Sequence, residues 1–158
     1  MLTSYLSQIA SSNLQDYIFE HEREDEKTLV LKKREVSGIP TSIIATQLSG
    51  RRKAKSKIPS WYKTKGILYA PTMNLEQCSS EATAIFKTQI INSYVSNNHV
   101  AADITGGFGV DAFFLSSLFK SVHYAEPNEE LFEISKYNHH QLGAFNISHY
   151  CLSAEKFI

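Results

Sequence analysis

The chain has 158 residues, 42% of them apolar, with 16 Lys and Arg balancing 16 Asp and Glu. That length allows one ordinary domain, or a small helical domain joined to part of a larger one. The composition excludes bulk disorder, low complexity and a coiled-coil rod. No apolar stretch approaches a membrane span, and Met1 to Ser7 lacks a basic region followed by an apolar run, so the expected setting is cytoplasmic with no membrane partner. Cys78 and Cys151 are too few and too far apart for a disulfide framework or a metal knuckle; reduced, buried thiols and no metal are expected.

The charge is unevenly spread. From Val36 to Leu75 every charged residue is basic (Arg51, Arg52, Lys53, Lys55, Lys57, Lys63, Lys65), while Glu20, Glu22, Glu24, Asp25 and Glu26 form an acidic run. A basic segment of this kind is either a solvated helix end and loop or a contact for nucleic-acid phosphates, so RNA is the candidate partner through Arg51 to Lys65.

Leu2, Leu6, Ile9, Ala10, Leu14, Tyr17 and Ile18 follow three-and-four spacing, which predicts an amphipathic N-terminal helix that Ser11-Ser12-Asn13 breaks and recaps. An acidic, mobile stretch follows. Thr28 to Glu35 forms a short strand or helix ended by Ser37-Gly38-Ile39-Pro40, and a helix runs from about Pro40 to Leu48 or beyond. Gly50, Pro59, Gly66 and Pro71 argue against long regular elements between about 50 and 75, which reads as a linker or docking segment. Residues 1–74 thus form a mainly helical domain with a basic linker.

From Ser79, a serine N-cap, a helix carries Ala82, Ile85, Phe86, Ile90 and Tyr94 on one stripe, and Asn97-Asn98 stops it. Val100 to Ile104 is a first core strand, Val110 to Phe119 a helix, Ser121 to Ala125 a second strand. Asn128 caps a further helix that Gly143 ends in left-handed conformation, and Ile147 to Leu152 is a third strand. Alternation of strand and helix predicts an α/β domain over residues 75–158, the first half of a doubly wound, Rossmann-like parallel sheet. Three strands cannot finish such a core. The expectation is that the later strands are supplied by further chain, by a partner or by self-association.

The chemistry gathers between residues 100 and 126. The first strand ends in Asp103, runs into Thr105-Gly106-Gly107-Phe108-Gly109, opens a helix, and leads to Glu126 at the end of the second strand. Glycines at a strand-to-helix turn permit positive φ and close approach of a ligand to the backbone. Gly107-x-Gly109-x-x-Ala112 also fits the dinucleotide fingerprint, so the glycines alone do not separate NAD from S-adenosylmethionine (SAM). Asp103 favours SAM: an acid at the mouth of the loop repels a phosphate-bearing cofactor and attracts one with a cationic sulfonium and ammonium. Glu126 is suited to a bidentate contact with two ribose hydroxyls. Ser153-Ala154-Glu155, at the third strand end, is where an adenine-contacting polar residue would sit. Each of these residues also has a plainer reading, as a turn cap, a solvated strand end or a tight corner; the constellation carries the argument.

Three stretches carry a resemblance: Lys55-Ser56-Lys57-Ile58-Pro59-Ser60-Trp61, Leu75-Glu76-Gln77-Cys78-Ser79-Ser80-Glu81-Ala82-Thr83-Ala84, and Asp103-Ile104-Thr105-Gly106-Gly107-Phe108-Gly109-Val110-Asp111. From about Ile39 onward the chain resembles bacterial class I SAM-dependent methyltransferase-like proteins, which carry an N-terminal helical domain and, in complete members, a C-terminal THUMP-like domain associated with RNA binding. The resemblance implies that Asp103, Thr105, Gly106, Gly107 and Gly109 line the methionine end of SAM. It implies Glu126 at the ribose and Ser153 and Ala154 at the adenine, with Asp111 in the same cofactor-binding set. Gln77 to Ser80 resembles the segment that closes over the cofactor. Many class I methyltransferases place an acid where this chain has Ser153. The family's fourth strand, with an Asp-Pro type motif beside the transferred methyl, and its THUMP-like domain are not within these residues, so no catalytic residue is named and the chain reads as a truncated form.

Other residues have structural readings. His139 and His140 diverge by about 100° on a helix and cannot share a metal. His149 and Cys151 share a strand face and read as a buried pair. Ser79-Ser80 lacks a base and reads as a helix cap. Trp61-Tyr62 either stacks on a nucleobase or anchors the linker to the core. The sequence therefore supports a class I methyltransferase acting on RNA, with a non-catalytic SAM- or RNA-binding module and an NAD-linked oxidoreductase fragment as alternatives.

Overall fold

A computed structural model describes residues 2–32, 34–95 and 99–158. The chain divides after Glu76 into two compact units. Among the described residues no helix is long and apolar enough to cross a membrane.

The first unit is mainly helical. A 3-10 turn (Leu2–Tyr5) leads into α1 (Leu6–Ile9), and the chain breaks at Ser11 before α2 (Ser12–Glu20). Next comes α3 (Glu26–Lys32), with Asp25 accepting the Thr28 amide at 3.1 Å. Strands β1 (Glu35–Val36) and β2 (Ile39–Pro40) pair antiparallel around Ser37 and Gly38. Both turn residues have positive φ, 53° and 78°, as a two-residue hairpin with right-handed strand twist requires.

Thereafter α4 (Thr41–Lys57) runs without interruption, followed by α5 (Pro59–Lys63) and α6 (Thr72–Gln77). The stretch expected to be a linker is instead the centre of this unit. Ala54, Ile58, Trp61, Ile67, Leu68, Tyr69 and Ala70 are all buried. Gly50 does not break α4; it makes room, because a β-carbon there would stand 2.3 Å from the Tyr69 Cβ. The fully buried Gln47 then grips residue 69 twice, its Nε2 donating to the Tyr69 carbonyl and its Oε1 accepting the Tyr69 amide, both at 2.8 Å. This satisfies the backbone of a buried, non-helical strap without a neighbouring strand.

The second unit is α/β. Helix α7 (Glu81–Tyr94) precedes β3 (Val100–Asp103), α8 (Val110–Ser116), β4 (Ser121–Ala125), α9 (Glu129–Gln141), β5 (Ile147–Tyr150) and the short α10 (Ala154–Phe157). The three strands are parallel in the order β3-β4-β5, with Asp103 opposite Tyr124 and Ala125 opposite Tyr150. The fold is a helical N-terminal region followed by a three-stranded, Rossmann-like parallel sheet. Ala112, Phe119, Val122, Tyr124, Phe132, Ala144 and Ile147 form its core; each large side chain so buried contributes about 1.5 to 3 kcal/mol relative to exposure. Asn146 closes the end of α8 by donating to the Ser116 and Phe119 carbonyls, each at 2.9 Å.

Helix α7 departs from expectation. Its buried face is Ala84, with Ile91 and Val95 against the core, whereas Ile85, Phe86, Ile90 and Tyr94 lie exposed. The apolar stripe is real, but it points away from the sheet. Asn97 and Asn98, expected to stop this helix, lie outside the described residues. Neither cysteine is in a disulfide, but Cys151 is exposed and Cys78 half-buried, so the expectation of buried thiols fails.

Candidate cofactor site

Because β3, β4 and β5 are parallel, Asp103, Glu126 and the residues after Tyr150 emerge along one edge of the sheet, where ligands of such folds bind. The loop joining β3 to α8 lies at that edge. Its bend depends on missing side chains: a β-carbon on Gly106 would stand 2.3 Å from the Tyr124 ring, and Gly109 has φ +81° with His139 Nε2 only 2.5 Å from its ideal Cβ position.

Side chains from two other elements clamp the loop. The Tyr124 hydroxyl donates to the Gly107 carbonyl at 2.6 Å, and Ser135 Oγ donates to the same oxygen at 3.1 Å. Burial pushes the Tyr124 hydroxyl well above its ordinary range, so it remains a donor. His139 Nε2 lies 2.8 Å from the Gly109 carbonyl and its Nδ1 lies 2.8 Å from His149 Nε2. A carbonyl only accepts, so Nε2 of His139 carries the hydrogen, Nδ1 accepts, and His149 Nε2 donates. Burial lowers both rings to about 4, with the neighbouring His149 adding to the effect at His139 and Lys136 at His149. His149 therefore partners His139, not Cys151 as its strand face suggested.

The amides of the loop turn inward. Thr105 N donates to Asp103 Oδ1 at 3.2 Å, Gly106 N to the Ala125 carbonyl at 3.0 Å, Gly107 N to Glu126 Oε2 at 2.9 Å and Gly109 N to the Gly106 carbonyl at 2.8 Å. The buried Glu126 also accepts the Asn128 amide through Oε1 at 2.8 Å, joining the loop to the start of α9. Asp103 has its carboxyl raised by burial first and by the nearby Asp111, against opposing contributions from Thr105 and Lys87.

Asp111, in the first turn of α8, accepts Ser79 Oγ and Lys87 Nζ on Oδ2, each at 2.8 Å. Its Oδ1 is buried and has no hydrogen-bond partner among the described residues. Three carboxylates thus surround the glycine bend with one ammonium among them. No group of three or more His, Cys, Asp or Glu among the described residues is arranged to hold a metal.

The remaining expected residues fall as follows. Ser80, not Ser79, caps α7, accepting the Thr83 amide at 3.1 Å. Ser79 instead turns to Asp111, and Gln77 is exposed just before them. Ser153 and Ala154, both half-buried, stand at the start of α10 just past β5. Tyr124, Ser135, His139 and Lys87 were not singled out as site residues from the sequence. Only the spacing of Ser135 and His139, one helical turn apart on α9, hinted that they share a face.

In the first unit, the basic segment meets the acidic run. Arg51 Nε pairs with Glu22 at 2.9 Å beneath the Tyr62 ring, Arg52 pairs with Glu26, Lys53 with Glu76, and Lys65 with Asp16 at 2.7 Å. Trp61 is fully buried, which favours the anchoring role over base stacking.

No protein-family model and no curated protein sequence matches the chain. Among solved structures, a candidate methyltransferase from Porphyromonas gingivalis W83 superposes with a TM-score of 0.73 at 19% identity, over 90% of this chain and 35% of that one. Coclaurine N-methyltransferase bound to N-methylheliamine and SAH matches at a TM-score of 0.41 and 10% identity, over 96% of this chain and 48% of that one, a likeness too distant to carry an argument. The chain spans about a third of the length of the P. gingivalis protein. What that comparison establishes is the fold: helices and a three-stranded parallel sheet in a methyltransferase-like arrangement.

Proposed function

We propose that the second unit binds SAM at the Asp103–Gly109 bend, as the cofactor-binding portion of a methyltransferase. One observation carries this reading: Glu126 places a carboxylate on the Gly107 amide, the position where a phosphate-binding glycine loop would present its N–H groups to an anion. A dinucleotide pyrophosphate would meet inward-turned amides and three carboxylates. A cofactor with a sulfonium, an ammonium and no phosphate meets a favourable field.

The residues fit the group. The buried Oδ1 of Asp111 lacks a donor, and Asp103 is held in a desolvated setting that a cation would relieve. Asp103, Asp111 and the loop backbone would hold the methionine end, Glu126 the ribose, and Ser153 and Ala154 the adenine, with Gln77 and Ser80 in the segment before α7. When bound, SAM supplies an electrophilic methyl group, and the protein's part is to orient it and exclude water. The name given to the P. gingivalis neighbour agrees with this reading.

RNA is the acceptor class this reading favours. A concavity of about 270 Å³ lined by Asp16, Phe19, Arg51, Tyr62, Lys63 and Lys65 sets an exposed aromatic ring near Lys63, with Lys65 held by Asp16; a ring and a lysine together suit a base and its phosphate.

Titration calorimetry with SAM, S-adenosylhomocysteine and NAD tests the cofactor. Heat with the first two and none with NAD is expected, and Asp103→Asn should weaken SAM by about 1 to 3 kcal/mol. Heat with NAD alone overturns the proposal.

A further inference from the structure

Lys87 is the one cation placed by hydrogen bonds among the acids of the crevice in the described residues. Its ammonium lies 2.8 Å from Asp111 Oδ2 and 2.9 Å from Ser79 Oγ, and Ser79 donates to the same carboxylate oxygen. The lysine reaches from the second turn of α7 to the first turn of α8, and half of its side chain is exposed. Its influence extends past its own partner, since it also stabilises the charged form of Asp103.

We infer that Lys87 is a built-in counter-cation that sets how strongly the crevice prefers a positively charged sulfonium over the neutral thioether left when the methyl group has gone. The inference rests on the SAM reading above. SAM and S-adenosylhomocysteine differ by one methyl group and one positive charge; their other contacts are shared. The ratio of their dissociation constants therefore reports the local field and little else. With the ammonium on Asp111, part of the field of Asp103, Asp111 and Glu126 is cancelled, and the crevice discriminates less between substrate and product forms. Without it, the same acids would favour the sulfonium more strongly.

The test is calorimetric titration of the intact chain with SAM and with S-adenosylhomocysteine, for wild type, Lys87→Met, Lys87→Gln and Lys87→Arg. Half-exposure of the side chain makes all three variants compatible with folding, and two neutral variants guard against the loss of one. The ratio of the homocysteine compound's Kd to that of SAM should rise severalfold in both neutral variants and return to the wild-type value in Lys87→Arg. Because the side chain is partly solvated, the rise should shrink at high salt. An unchanged or reduced ratio, with both compounds still binding, overturns this inference and leaves the cofactor reading standing. Failure of wild type to bind either compound overturns both.

Discussion

Gly109 and His139 are locked to each other twice: the imidazole Nε2 donates to the Gly109 carbonyl at 2.8 Å, and the same nitrogen fills the space that a side chain on residue 109 would need. The φ of +81° adds a backbone requirement to the steric one. Gly109→Ala should therefore destabilise the second unit by about 2 to 4 kcal/mol, combining left-handed strain with a clash against a buried ring. Urea denaturation reads this directly. A loss under about 0.5 kcal/mol would mean that the loop and α9 are not packed as described.

The histidine pair gives stability a defined pH dependence. His139 titrates near 4 in the folded chain against about 6.5 unfolded. The unfolded state binds more protons between these values, so stability is complete above about pH 6.5 and falls as the pH drops toward 4. The shift at His139 alone corresponds to about 3 kcal/mol. Midpoints of chemical denaturation measured from pH 7.5 to 4 should decline through this window, and His139→Gln should flatten the decline. A profile identical in the two proteins would contradict the neutral, buried pair.

Glu126 holds two amides with one carboxylate, and an amide side chain cannot do the same. Glu126→Gln keeps the shape but exchanges an acceptor for a donor against either Gly107 N or Asn128 N. The expected loss is about 1 to 3 kcal/mol of stability, and amide hydrogen exchange should accelerate at residues 107 and 128. Unaltered exchange at both amides would separate Glu126 from the loop.

The ion pairs of the first unit limit how many cations are available to RNA. Arg51, Arg52, Lys53 and Lys65 are each paired with a carboxylate, which among the described residues of the basic segment leaves Lys55, Lys57, donating to the Glu76 carbonyl, and Lys63 as the cations available to phosphates on the proposed reading. At about 0.7 per phosphate for a single strand, the slope of log K against log salt should have magnitude near ~2, and not near ~5. A slope near zero would remove RNA as the acceptor class read from this segment.

Much of the second unit was legible in sequence because its signals are local. Asn128 caps α9 and Gly143 ends it with φ +77°, as their side-chain chemistry requires. The strand boundaries followed from short apolar runs between turn residues, and β4 lies at Ser121–Ala125 as expected.

The errors share a cause, which is that a partner distant in sequence decided the outcome. Gly50 reads as a helix breaker until Tyr69 is seen against it. The basic run likewise gives no sign in sequence that Glu22 and Glu26, nearly thirty residues earlier, lie beside Arg51 and Arg52. The stripe on α7 has helical period, but period alone does not say which face meets the sheet. Around the glycine bend, Asp103, Glu126 and the glycines stand out in sequence by position, whereas Tyr124, His139 and Lys87 meet the bend only through tertiary contacts.

A bend whose Thr105, Gly106, Gly107 and Gly109 N–H groups already have acceptors has little use for oxyanions. Inorganic phosphate and sulfate, which crowd into most glycine-rich corners, should find this one indifferent, and cellular nucleoside triphosphates should compete poorly for it despite their abundance. Recognition here would run on the sign of a ligand's charge and the outline of its nucleoside, so ordinary phosphate buffers should leave cofactor affinity unaltered.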